Sequence, residues 1–236
     1  MKKNLQSVSC IIVASGQGNR FRNSLPKQFI PLKGKPILEY SLEVFQQHPQ
    51  IDEIILVLNK ESLDIHEKSI NLKKYTKLTR IVTGGQTRQI SVCNGLDACS
   101  AKAERVLVHD GVRPFVTEDL ISYCLNGLTK YKAVSVAIPV SQTVFEVDEQ
   151  QVVKNVPDRE RLYCVQTPQG FMMNTIKKAH KMAKNEKRYD FTDDCGMIIH
   201  YGLGEVGLIE GSEKNIKITY PDDIYVAEKI LGNLSI

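Results

Sequence analysis

Val8 to Ala14 (VSCIIVA) is an unbroken apolar run, the pattern of a central parallel strand buried on both faces. A Gly-rich loop follows, then Pro36 as the first residue of a helix. Ile37, Leu38, Ser41, Leu42 and Phe45 recur there at helical spacing. The next apolar run, Ile51 to Leu58, predicts a strand, 63–72 a helix, 80–83 a short strand and 86–99 a helix. Arg105 to His109 reads as a strand ending at Asp110, and Thr117 as the cap of a helix reaching about Lys130. A strand at 134–140 closes the series. Strands and helices alternating at this spacing predict an α/β fold of three layers, Rossmann-like, with a mixed, mainly parallel sheet.

The alternation breaks after Val140. Ser141 to Val156 (SQTVFEVDEQQVVKNV) holds two short β-prone pieces around Asp148-Glu149-Gln150 and predicts a projecting β-hairpin arm, about residues 141–160. Such a hairpin is marginal alone and needs a surface to cover; a partner subunit would supply one. The tail predicts helices at 173–184 and 193–201, strands at 205–209 and 216–218, and a last helix over 221–231. No repeat or flexible linker divides the chain, so residues 1–236 read as a single domain with an arm.

Of the 236 residues, 42% are hydrophobic and 25% charged, which sets aside fibrous and wholly disordered readings. The net charge of +4 is too small for a general nucleic-acid binder, and aromatics are only 7%. The placement of charge is more telling. No acidic residue precedes Glu39, whereas Lys2, Lys3, Arg20, Arg22, Lys27, Lys33 and Lys35 do; the remainder carries 24 basic against 27 acidic residues. No stretch approaches a membrane span, and the apolar run after Lys2-Lys3 is shorter than a signal-peptide core. The six cysteines form no CxxC pair and the histidines no HExxH. These features predict a cytoplasmic protein with no structural metal, leaving room for a metal held through substrate phosphates.

Ligands of open parallel sheets bind outside the carboxyl ends of the strands. That rule marks 14–27, 84–91 and 110–113 as one site. In the first, Ala14-Ser15-Gly16-Gln17-Gly18-Asn19-Arg20, the glycines permit tight turns whose amide N–H groups can converge on phosphate oxygens, although an ordinary turn uses glycine too. The spacing is neither a P-loop nor the dinucleotide fingerprint. Arg20, a planar fork of donors, and Lys27, a mobile point charge, are the cations that phosphoryl or nucleotidyl transfer needs as charge grows on oxygen; the plain alternative is a solvated basic loop.

Taken together, the loop, Leu25-Pro26-Lys27-Gln28, Gly84-Gly85, His109-Asp110-Gly111-Val112-Arg113-Pro114-Phe115, Pro157-Asp158-Arg159, Gln166-Thr167-Pro168-Gln169, Thr192-Asp193 and Asn215-Ile216-Lys217 resemble the 2-C-methyl-D-erythritol 4-phosphate cytidylyltransferase family over nearly the whole chain. The resemblance implies a CTP-dependent nucleotidyltransferase of isoprenoid precursor synthesis by the non-mevalonate route. It would pass CMP from CTP to methylerythritol 4-phosphate and release pyrophosphate. It implies Arg20, Lys27 and Lys217 as catalytic cations. Ala14, Ser15, Gly16, Gly18, Gly85, Gln86, Ser91 and Asp110 would bind the nucleotide, with Asp110 also seating Mg²⁺. Arg113, Thr143, Arg159 and Thr192 would bind the sugar-alcohol phosphate. It also implies a homodimer whose arms cross, so that each site is shared.

Several readings stay open beside it. Ribitol 5-phosphate cytidylyltransferases share the loop and the QTPQ run, and a non-catalytic nucleotide-binding regulator could keep the fold. Ser15 stands where the family commonly has Ala, and Gln86 where it commonly has an acid. Arg159 could instead brace the arm near Asp158 and Glu160, and Thr192 could cap a helix. Strand alternation points His109 away from Asp110, into the core.

Overall fold

The computed structural model describes residues 7–16, 21 and 25–234, with the backbone alone at 64–68 and 234. Its elements are β1 (Ser7–Ala14), β2 (Pro31–Leu32), β3 (Lys35–Pro36), α1 (Ile37–Gln47), β4 (Glu53–Leu58), α2 (Lys60–Ser69), β5 (Leu78–Thr83), α3 (Arg88–Ala98) and β6 (Ala103–Asp110). Then follow α4 (Glu118–Gly127), β7 (Ala133–Pro139), β8 (Glu146–Val147), β9 (Val153–Asn155), β10 (Tyr163–Met172), α5 (Met173–Asn185), α6 (Asp194–His200), β11 (Val206–Glu210) and α7 (Asp223–Leu234).

Seven strands make one sheet in the order β11-β7-β10-β6-β1-β4-β5. β1 is parallel to β4 and β6, β4 to β5, and β7 to β11. β10 runs antiparallel to both its neighbours, β6 and β7. This is the mixed, mainly parallel α/β sheet expected from the alternation. Successive side chains of a strand face opposite sides, and β1 shows how that sorts the core. Val8, Cys10 and Ile12 pack with Leu38, Leu42 and Phe45 of α1 and with Ile121 and Cys124 of α4. Ile11 faces the other layer, with Val92 and Leu96 of α3, Ile176 of α5 and Ile198 of α6. A third cluster joins Val112 and Phe115 to Ile218 and to Ala227 of α7, anchoring the segment that carries Lys217.

Two sequence expectations differ from what is found. The sequence pattern predicts no strand over 163–172, yet β10 sits in the middle of the sheet. Pro168 is the reason: proline within a run argues against a central strand, and here the ladder to β7 shifts between Val165 and Gln169, which accommodates it. Conversely, 216–218 is no strand. Its apolar alternation reflects Ile218 in the third cluster, where the Ile218 amide donates to the Val112 carbonyl at 2.9 Å. The arm is present as the β8–β9 hairpin, with Val147 opposite Val153.

Candidate active site

The carboxyl ends of β1, β5 and β6 open onto a cleft of about 570 Å³. Ala14, Ser15 and Gly16 line it from the end of β1, Gly85, Gln86 and Ser91 from the turn after β5 and the start of α3, and Asp110 from β6, together with Lys27 and Lys217. The three separate stretches marked in the sequence thus converge, and Lys217 joins them. Arg20 and Gly18 lie outside the described residues.

Ser91 ties two of these loops together. Its hydroxyl accepts from Ser15 Oγ at 2.9 Å and from the Gly85 amide at 3.1 Å, and donates to the Thr87 carbonyl at 2.9 Å. Gly84 must be glycine for the loops to meet, since a Cβ there would overlap the Ser15 side chain. The hydroxyl of Ser15 is therefore engaged in joining loops. Gln28 braces β1 from below, its Nε2 donating to the Ala14 carbonyl at 2.8 Å and to Ser62 Oγ at 3.0 Å. Lys27 Nζ donates to the Ile218 carbonyl at 3.0 Å.

Asp110 is the electrostatic centre. Lys217 Nζ lies 2.7 Å from Oδ2, Arg113 Nε 3.9 Å from the same oxygen, and Arg88 Nε 3.3 Å from Oδ1. Burial alone would raise its pKa, but Arg88, Lys217 and Arg113 outweigh burial and hold the carboxyl well below the usual range. Next to it, His109 is wholly buried and faces away, as alternation requires. The Asp110 amide donates to Thr167 Oγ1 at 3.1 Å, so the Thr167 proton is left for His109 Nδ1 at 3.0 Å, and Nε2–H serves the Arg113 carbonyl at 3.1 Å. A neutral imidazole, accepting at Nδ1 and donating at Nε2, satisfies both of these contacts, and burial pushes its pKa down to about 4.

β10 carries the brace that sets these loops. Gln166 Nε2 donates to the Ser212 carbonyl at 2.9 Å, and Asn215 Nδ2 donates to Gln166 Oε1 and to the Thr167 carbonyl. Arg113 Nη1 donates to the Asn215 carbonyl at 2.8 Å. Arg113 is thus buried between Asp110 and the Lys217 segment, outside the lining of the cleft. Gln169 Nε2 donates to Asp193 Oδ2 at 2.7 Å, next to Thr192. The cap of α6 is Asp193, which accepts from the Gly196 amide, while Thr192 is exposed just before it. Thr143 and Arg159 are exposed on the arm, with Arg159 Nη1 3.4 Å from the Ser141 carbonyl.

Sequence reasoning missed Arg88 and Asp194. Arg88 lines the cleft, and its Nη1 lies 2.6 Å from Asp194 Oδ2. A signal was present: α3 opens on a cation, which the helix dipole disfavours unless an acid holds it. Asp194 gave none, because an acid in a helix's first turn is ordinary. Among the described residues, no cluster of three or more His, Cys, Asp or Glu side chains could hold a metal, and no helix is long and apolar enough to cross a membrane.

The model of the 2-C-methyl-D-erythritol 4-phosphate cytidylyltransferase family matches residues 8–233. The enzyme of that name from Clostridium botulinum (strain 657 / Type Ba4) is 42% identical over 228 residues, covering 96% of this chain and 98% of that one. Its namesake from Caldanaerobacter subterraneus subsp. tengcongensis is 40% identical over 226 residues, covering 95% and 99%. The crystal structure of 4-diphosphocytidyl-2C-methyl-D-erythritol synthase from Anaerococcus prevotii superposes with a TM-score of 0.86 at 34% identity, covering 97% of this chain and all of that one.

Proposed function

We infer the working of this cleft from a plain premise: the chain belongs to the 2-C-methyl-D-erythritol 4-phosphate cytidylyltransferase family. It is a CTP-dependent nucleotidyltransferase that passes CMP from CTP to 2-C-methyl-D-erythritol 4-phosphate, yielding 4-diphosphocytidyl-2-C-methyl-D-erythritol and pyrophosphate, a step in isoprenoid precursor synthesis. An oxygen of the sugar phosphate forms a bond to the α-phosphorus as the bond from that phosphorus to the pyrophosphate oxygen breaks. A phosphate monoester is already largely ionised near neutral pH, so the attacking oxygen needs no strong base. Catalysis is then positioning and charge stabilisation.

The observation that carries the reading is the convergence of Lys27, Lys217 and Arg88 with the turn at Ala14–Gly16 around one ionised carboxylate, Asp110. In this reading the backbone of 14–16 cradles the triphosphate, and Gly85, Gln86 and Ser91 take up the base and ribose. Lys27 and Lys217, with Arg20, meet charge developing on the phosphates. Asp110 fits the seating of Mg²⁺, because a buried, ionised carboxylate needs only substrate phosphates and water to complete such a site. When bound, the ion would neutralise charge on the triphosphate. Lys217 would then leave Asp110 for a phosphate oxygen. Arg113 backs the cleft beside Asp110, and Thr192 offers its exposed hydroxyl to the sugar phosphate.

The arm completes the site from a second copy. Val144, Phe145, Val147, Val152, Val153 and Val156 are all exposed on it, an apolar surface without a cover in one chain. Two chains exchanging arms would cover it and bring Thr143 and Arg159 of one to the cleft of the other. The chain then acts as one catalytic domain with a dimerisation arm.

Pyrophosphate release with CTP and Mg²⁺ tests the reading, comparing methylerythritol 4-phosphate with ribitol 5-phosphate. Release with the first and little with the second is expected; no release with the first would sink the acceptor assignment.

A further inference from the structure

Asp194 is buried without any chemistry assigned to it. Its carboxylate is 1% exposed and both oxygens are used: Oδ2 by Arg88 Nη1 at 2.6 Å, Oδ1 by His180 Nε2 of α5 at 3.0 Å. A buried carboxylate is tolerable when paired on both sides. Here the pairing draws its pKa down against burial. Arg88 is stretched between two carboxylates, Nε on Asp110 and Nη1 on Asp194, and the Asp194 contact is the shorter. Only a guanidinium fork spans both, since a lysine ammonium is a single point.

Asp110 has two kinds of neighbour. Lys217 is 38% exposed on a loop and can swing to a phosphate, whereas Arg88 is 23% exposed and anchored from behind. Once Lys217 leaves, Arg113 remains 3.9 Å from Oδ2, and Arg88, at 3.3 Å on Oδ1, is the nearer of the two remaining cations. We propose that Asp194, backed by His180, is a positioning residue that holds Arg88 on Asp110 and so keeps the Asp110 carboxylate in place when CTP enters. Asp194 also follows Thr192 by two residues, so the same brace links the nucleotide side of the cleft to the sugar-phosphate side. The inference rests on the reading of Asp110 as the residue that meets Mg²⁺ and CTP.

Calorimetric titration of CTP with Mg²⁺ tests it independently of the acceptor, using Asp194→Asn, Arg88→Lys and the double variant. Groups that orient a liganding carboxylate typically account for about 10–100-fold in affinity. Asp194→Asn is therefore expected to weaken CTP about tenfold. Arg88→Lys should weaken it as much, without rescue by the retained charge, and the double variant should bind no worse than Arg88→Lys alone. Losses that multiply in the double variant, or an Asp194→Asn protein that binds CTP like the wild type, would overturn the proposal. Should Asp194→Asn not fold, His180→Gln serves instead, with a smaller loss that again vanishes in the Arg88→Lys background; a loss that persists there overturns it. A wild-type protein that does not bind CTP at all defeats the proposed function instead.

Discussion

Lys27 and Lys217 bring the same charge to the cleft by different means. Lys27 is 9% exposed and held on the Ile218 carbonyl, while Lys217 reaches in from a more open loop and rests on Asp110. The pre-set cation is the one suited to a transition state, because it needs no rearrangement as charge develops. Lys27→Ala is expected to lower turnover about 10²-fold or more, read as pyrophosphate release at saturating CTP. Turnover equal to the wild type would remove Lys27 from the reacting phosphate. At this scale, the motif stretches were legible because they follow the carboxyl ends of parallel strands, where such sheets bind their ligands. Arg88 was not, because a single arginine opening a helix looks like any solvated charge until Asp110 and Asp194 are seen on either side of it. Lys217 came only through resemblance, since nothing local to Ile216-Lys217-Ile218 marks it as belonging to a cleft.

At the scale of elements, α5 and α6 are joined by the His180–Asp194 pair, and the pair titrates. Burial alone would lower the His180 pKa, but the hydrogen bond that it donates to Asp194 leads the contributions that raise it to about 9, against an ordinary 6.5. A folded pKa above the unfolded one gives stability that is complete below pH 6.5 and lost as pH rises through about 9. His109 has the opposite sign: held near 4, it favours folding above pH 6.5 and loses that contribution as pH falls toward 4. The wild-type melting temperature should therefore fall between pH 7 and pH 9.5 more steeply than that of His180→Gln. Parallel curves would show that the pair contributes nothing to this slope. Helices and parallel strands were legible because their periods are set by burial on the sheet. β10 was not: its polar side chains, Gln166, Thr167 and Gln169, face inward to brace loops, so the strand lacks the apolar signature that sheet interiors normally carry.

For the molecule as a whole, the weak net charge of +4 conceals a division of labour. The acid-free opening segment includes the Gly16 turn and Lys27, and the slightly acidic remainder supplies Asp110 and the frame around it. The shared site proposed above makes a direct forecast. Mixing Lys27→Ala chains with Arg159→Ala chains should restore part of the activity each lacks, because one of the two clefts in a mixed dimer is then intact. Mixed dimers that form without recovery would put each site back within a single chain. The arm itself leaves and re-enters the sheet side by side, with β7 and β10 antiparallel and the Val140 amide on the Leu162 carbonyl at 3.0 Å. It is, topologically, an overgrown turn. Lengthening such a connection costs little, about 0.6 kcal/mol per doubling, and leaves every register in the sheet unchanged. In the proposed dimer, the reach of the arm is therefore free to change as a surface loop's is, without disturbing the sheet that positions Ala14, Asp110 and Ser91.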